Sequence, residues 1–328
     1  MRNQDWILFF VVFASLAFGV LFPDLCAPFQ GLPTYALMAL FFLSYLPIRV
    51  GDIVREIRSS PVAIFSFTAV KLVVLPPIVF FLFQAVYPVY APAALLLSGI
   101  STGVVAPFMA NLVGANAALV LVLVVTTSLL VPFTLPVLIH VFLSRIVDIP
   151  MPDMFRLLAL VIFLPIGVVE LLRRTAPVLL DKIARRSYPA SLTLFAVINL
   201  GVFSRYSGFF FQEPQMILTA VVVAIVLAAL YFLLGVILFK NRPAADRLAG
   251  AVIFGNMNNV LVIVFSSHFF GPLEPTVAAM YIVPFFGLIL PLRLFARRRG
   301  RFSLFFLPVF GLLPSSIKEN RPLWPPQA

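Results

Sequence analysis

A lone lysine, Lys71, sits in the apolar stretch VKLVVLPP, and no Lys, Arg, Asp or Glu follows it before Arg145. Farther along, Gly255-Asn256-Met257-Asn258-Asn259 lies in the middle of an almost wholly apolar run from Leu248 to Gly271. A third group, Gly99, Ser101, Thr102, Gly103 and Pro107, interrupts LLLSGISTGVVAPFMANLVG, and a fourth, Thr126-Thr127-Ser128, falls in LVLVVTTSLL. These residues are suited to binding. Asparagine carries two donors and an acceptor, Gly and Pro open a helix so that its backbone groups face outward, and an isolated ammonium attracts an anion. No phosphate-cradling glycine loop, His–Glu metal pair or nucleophile elbow is present, so an enzyme reading has no residues to stand on. No metal or cofactor is expected. The single cysteine, Cys26, excludes an internal disulfide and reads as a small apolar side chain near a membrane end. His140 and His268 read as interfacial or packing histidines.

The elements that must hold these groups follow from composition. The chain has 328 residues, 62% of them hydrophobic and 11% charged, with a mean hydropathy of +1.11. Soluble domains run to about 45–50% apolar and about 25% charged. Apolar runs of the length a membrane helix needs fall at 6–22, 33–48, 61–83, 92–113, 116–143, 155–172, 189–204, 214–239, 248–270 and 275–295. The first is expected to be retained, because LFPDLCAPF lacks the small residues of a cleavage site. The stretch 301–313 is too short to span, is broken by Pro308, and reads as interfacial.

With the N-terminus in the cytoplasm, most of the 23 basic residues fall on one side. They lie around 49–58, 173–186 and 240–247 and in the C-terminal tail, whereas the other side carries Arg145, Arg156 and Arg205. The positive-inside rule then gives a cell (inner) membrane protein with both termini cytoplasmic. The net charge of +11 needs no nucleic acid; it marks topology and contact with lipid headgroups. Oligomeric state is not legible.

Ten spans divide as five and five across SRIVDIPMPD (144–153), giving repeats over 1–143 and 154–296 and a basic cytoplasmic tail over 297–328. An odd number of spans per repeat inverts the second relative to the first, the pattern of secondary transporters with sites at broken helices near the midplane. The matching spans are the fourth and ninth, and both are interrupted at mid-depth. The fold class expected is an all-α polytopic membrane protein of two inverted five-helix repeats, with broken crossing helices 4 and 9. The asparagines would replace the missing backbone bonds and still face a cavity, toward which the half-helix N-termini favour an anion. Asn258, Asn259, Ser101 and Thr102 are the residues placed foremost in that cavity, with Gly103, Gly255 and Asn256 beside them and Ala106 accessible from it. Thr126, Thr127 and Ser128 either bond back to their own helix or line the cavity. Lys71 falls at the middle of the third span, where a charge is a functional-site candidate by default.

STGVVAPFMANLVGANAALVLVLVVTTSLLVPFTLPVL and FGNMNNVLVIVFSSHFFG resemble the fourth-to-fifth and ninth spans of the bile acid–sodium symporter family, and the resemblance in span order covers nearly the whole chain. It implies a panel of spans 1, 2, 6 and 7 and a core of spans 3–5 and 8–10, working by alternating access on organic anions such as bile acids, sulfated steroids and keto acids. The family's sodium sites use a Ser-Asn pair, two fifth-span hydroxyls, a Glu and a Gln. Aligned on Gly114-Ala115-Asn116, the pair falls on Ala106-Pro107 and the hydroxyls on Val120 and Val124. The Glu, placed by the ninth-span glycine, falls on Ile253 (or Val252), and the Gln, aligned on the proline that follows it, falls on Lys71. Apolar residues and a cation therefore replace every ligand that can be checked, and an ammonium beside a sodium site repels the metal.

The reading is a secondary transporter of small organic anions, independent of sodium. Lys71 would stand in for the metal by donating to the carbonyls of Ile253 and Phe254, and transport would be proton-coupled if its amine exchanges a proton. Two alternatives stay open: within the same fold, an oxyanion or metalloid efflux carrier; from a different class, a channel or a transporter-derived sensor. The related arsenite exporters use a membrane cysteine and a glutamate that this chain lacks.

Overall fold

The computed structural model describes residues 3–144 and 150–287, and among these it is helical with one isolated β-bridge and no strand. The principal helices are α1 (Asn3–Leu21), α2 (Pro33–Tyr45), α3 (Pro61–Val86), α4 (Ala91–Gly99), α5 (Ala106–Val113), α6 (Ala117–Leu143), α7 (Met151–Thr175), α8 (Ser187–Arg205), α9 (Pro214–Leu238), α10 (Ala244–Gly255), α11 (Asn259–Phe269) and α12 (Leu273–Met280). Helices α3, α6, α7, α8 and α9 are long and apolar enough to cross a membrane, and Phe10–Leu21 with Pro23–Phe29, bent by 113°, makes a sixth if it counts as one span. The protein is a multi-pass membrane protein. The expected tail over 297–328, the end of the tenth span and part of the 144–153 linker lie outside the described residues.

Proline sets many of the helix starts. Pro33, Pro61 and Pro214 each occupy the first turn, where the missing N–H would have had no intrahelical partner. Inside α3, Pro76 and Pro77 bring no N–H to the ladder. The turn before them widens to a π-helix over Val70–Val74, with the Leu75 N–H donating to the Val70 carbonyl. Lys71 sits in that widened turn.

Helix α2 ends sooner than expected, at Tyr45. Its 13 residues reach about 20 Å. The chain beyond is held by Arg173 at the end of α7, whose Nη2 donates to the Leu46 and Ile48 carbonyls at 3.2 and 2.9 Å while Nη1 donates to Glu170 at 2.6 Å.

Helix α1 packs on α8, and α2 lies against both α7 and α8. Separately, α3 packs on α4, α9 on α10, and α11 on α12. The α9–α10 contact is backbone to backbone, since a Cβ added at Gly235 would run into the Gly250 carbonyl. The interruptions expected within 92–113 and 248–270 are present, between α4 and α5 and between α10 and α11. Gly114, with φ +72°, closes α5 in the left-handed conformation that glycine tolerates best.

Candidate functional site

The two breaks meet. Thr102 and Met257 form an antiparallel bridge; the Gly103 N–H donates to the Asn256 carbonyl at 2.6 Å and the Asn258 N–H to the Ser101 carbonyl at 3.0 Å. Each unwound segment thus supplies the partners that its own helix cannot, which makes irregular backbone tolerable away from water. A Cβ at position 103 would lie 2.9 Å from the Met257 carbonyl oxygen, so glycine is what lets the two unwound segments close.

Side chains brace the pair. The Thr102 N–H donates to Thr127 Oγ1 at 3.1 Å, and Thr102 Oγ1 donates to the Ile253 carbonyl at 3.0 Å. Asn258 Oδ1 caps α11 by accepting from the Leu261 N–H at 3.3 Å, and its Nδ2 donates to Ser101 Oγ at 3.4 Å. Asn259 Nδ2 donates to the Ala278 carbonyl at 3.3 Å, and Asn256 Nδ2 to the Val252 carbonyl at 3.0 Å. Asn256 Oδ1 is buried without a partner.

On the face toward α2 and α8, a cavity of about 40 Å³ lies between the crossing and Leu37, Leu40, Phe41 and Phe195. It holds a few waters at most. Gly103, Asn258 and Asn259 line it; Ser101, Thr102, Gly255 and Asn256 are buried behind it and serve the crossing from inside. Ala106, expected to be accessible, is 0% exposed, and Val105 takes its place at the cavity because the first turn of α5 rotates Ala106 inward. Thr126 and Thr127 bond back to the Val122 and Leu123 carbonyls, and Thr127 also accepts from the crossing. Ser128 borders a smaller void with Phe41 and Val104, and its Oγ is buried without a partner.

Lys71 reaches the same crossing from behind. It is 0% exposed; Nζ donates to Met257 Sδ at 3.0 Å and lies 5.6 Å from the centre of the Phe254 ring, within cation–π range. No Asp or Glu pairs with it among the described residues. The expected carbonyl partners are not used. Thr102 occupies the Ile253 carbonyl, and the amine meets the break itself at Met257 instead. Two members of the arrangement carry no signal in the sequence. Met257 looks like one more apolar residue, and the Tyr281 hydroxyl, which donates to the Gly255 carbonyl at 2.7 Å, comes from a helix whose register spacing alone does not fix.

The profile of the Sodium Bile acid symporter family matches residues 34–213, more than half of the chain. The chain belongs to that family. Membership makes the protein a membrane transporter. The matched segment contains Lys71, Ser101–Gly103 and Thr126–Ser128, while Gly255–Asn259 lies beyond it and is joined to it by the bridge at Thr102. No curated protein matches the chain.

Proposed function

We propose that this family member is a secondary transporter of small organic anions that works by alternating access without sodium. The observation that carries the reading is Lys71 Nζ on Met257 Sδ, a buried cationic group at the crossing of two broken helices with no carboxylate beside it. A sodium site needs several oxygen ligands, and here the crossing carbonyls of Ile253, Gly255 and Asn256 are already engaged by Thr102, Tyr281 and Gly103. The N-terminus of α11 opens on the cavity through Asn258, Asn259 and Val260. Its free N–H groups and the nearby amine suit the charged end of an organic acid.

In this proposal ten spans form two inverted repeats, 1–143 and 154–296. Helices α1, α2, α7 and α8 make a panel, and the remaining spans make a core that slides against it. Both termini face the cytoplasm. The substrate site comprises Gly103, Asn258 and Asn259 at the cavity, with Ser101, Thr102, Gly255 and Asn256 as the frame and Lys71 as the built-in cation. If the amine exchanges a proton during the cycle, a pH gradient drives accumulation; if it keeps one form, the carrier exchanges or uniports.

The test begins with purified protein and a thermal-shift screen of organic acids. The stabilising acid is then assayed for counterflow in proteoliposomes, with and without sodium. Exchange of labelled for unlabelled acid that is indifferent to sodium is the expected result. A strict sodium requirement would defeat the role given to Lys71, and binding without counterflow would defeat the carrier.

A further inference from the structure

A second cavity, of about 170 Å³, opens along the same three helices that border the crossing, at the end where α8 and α11 finish and α2 begins. Its walls include Gln30, Thr34, Arg205, Ser267 and His268. They are polar where the crossing cavity is mostly apolar. They contain one permanent positive charge, Arg205, and no carboxylate. The Arg205 side chain makes no hydrogen bond or ion pair to any described residue, so its guanidinium donors are uncommitted. Gln30 uses one amide N–H on Ser204 Oγ, at 3.3 Å, and keeps the other.

The two cavities are in line. One helical turn inward from Thr34, Val202 and His268 stand Leu37, Ile198 and Val264, each no more than 1% exposed. Leu37 already borders the crossing cavity on its inner side, and one turn farther in so do Leu40, Phe195 and Val260. A polar chamber, an apolar plug and the crossing thus follow one another along a single seam. The polar end of the seam is fastened by two hydrogen bonds, Thr34 Oγ1 to His268 Nε2 at 3.2 Å and Tyr206 OH to the Ser267 carbonyl at 3.2 Å. His268 Nδ1 lies 2.9 Å from the Val264 carbonyl, an acceptor only, so Nδ1 carries the proton and Nε2 accepts from Thr34 in the neutral ring.

We propose that this chamber is an outer loading site, in which Arg205 and the Gln30 amide hold the carboxylate of a small organic acid before the plug opens toward the crossing. The inference rests on the transporter reading and its orientation, and names where that reading's substrate first binds. A guanidinium presents paired N–H donors that match a carboxylate. A cleft lined by charge of one sign also concentrates anions before any specific contact forms.

The test separates the loading site from the carrier. Gly31 borders the chamber, is exposed and has nothing within 4 Å of an added Cβ, so Gly31→Cys on a Cys26→Ser background places one thiol there without a clash. Intact cells are treated with the membrane-impermeant thiol reagents MTSES, which is anionic, and MTSET, which is cationic. Labelling from outside is expected, and the MTSES-to-MTSET rate ratio should fall about tenfold in Arg205→Gln, in keeping with loss of a focused positive field. Arg205→Lys should retain the ratio, and excess benzoate should slow MTSES in the parent and in Asn258→Leu, which alters only the crossing. A ratio unchanged by Arg205→Gln would overturn the loading site and leave the carrier untouched. Benzoate protection lost in Asn258→Leu would also overturn it, by showing that the anion acts from the crossing. Labelling seen only in permeabilised cells would overturn both the outer site and the proposed orientation.

Discussion

At the residue scale the protein rests on unlike answers to one problem, polar groups out of reach of water. Asn258 is engaged at both ends: its carbonyl oxygen caps α11 and one amide N–H holds Ser101. Asn258→Leu should keep membrane insertion, lower stability by about 1–2 kcal/mol through the lost cap and bond, and abolish counterflow. Surface labelling and proteoliposome exchange measured on the same variant decide it. Normal transport would reduce the asparagine to helix glue. Lys71 is the opposite case, an amine given a thioether and a ring face in place of a counter-ion. Lys71→Gln is close in size and has no charge in either form. It should cut transport at least about tenfold, the scale of one lost charge-assisted contact, and flatten any dependence on pH between 5 and 9. A Lys71→Gln variant with a wild-type pH profile would remove the lysine from the cycle.

At the element scale, much of the chain is legible in its residue types. The breaks at Ser101–Gly103 and Asn256–Asn258 follow from Gly, Pro and Asn clusters inside apolar runs, and both are found. Their pairing through Thr102 and Met257 is not legible, because a backbone bridge leaves no trace in side-chain type. The partner of Lys71 escapes sequence reasoning for a related cause. The π turn before Pro76-Pro77 sets where that side chain emerges, and an α-helical count misses the extra residue. The early end of α2 depends on a distant arginine. Two carbonyls beyond Tyr45 lean on Arg173, itself anchored by Glu170. Arg173→Met keeps the stem, strips those bonds and leaves Glu170 unpaired. It should lower stability by about 1–3 kcal/mol, read as a lower unfolding temperature in detergent, with the affinity for a stabilising acid unchanged. A fall in affinity with no loss of stability would mean that the α2 terminus serves the site rather than the scaffold.

At the scale of the whole molecule the question is which contacts must break for the protein to work. Helix α11 touches α2 through His268 and Thr34, and Tyr206 beyond α8 reaches its Ser267 carbonyl, so the seam is pinned at the end farther from the crossing. These are two exposed or half-buried hydrogen bonds, each worth only about 0.5–1.5 kcal/mol net, against a plug of buried side chains at Leu37, Ile198 and Val264. The fastening is weak enough to open on each cycle, and relative sliding of the two helix groups would break it first. Thr34→Cys with His268→Cys, on the Cys26→Ser background, allows a short bifunctional methanethiosulfonate to tie α2 to α11 across the seam. Before cross-linking, the variant should transport, since it keeps Arg205 and Gln30, which hold the carboxylate in the outer chamber, and neither altered residue lines the crossing cavity. After cross-linking, counterflow should stop and return on reduction, while a stabilising acid that reaches the crossing from the other side should still bind. Transport that continues through an intact cross-link would mean that α2 and α11 never part, and alternating access along this seam would have to be abandoned.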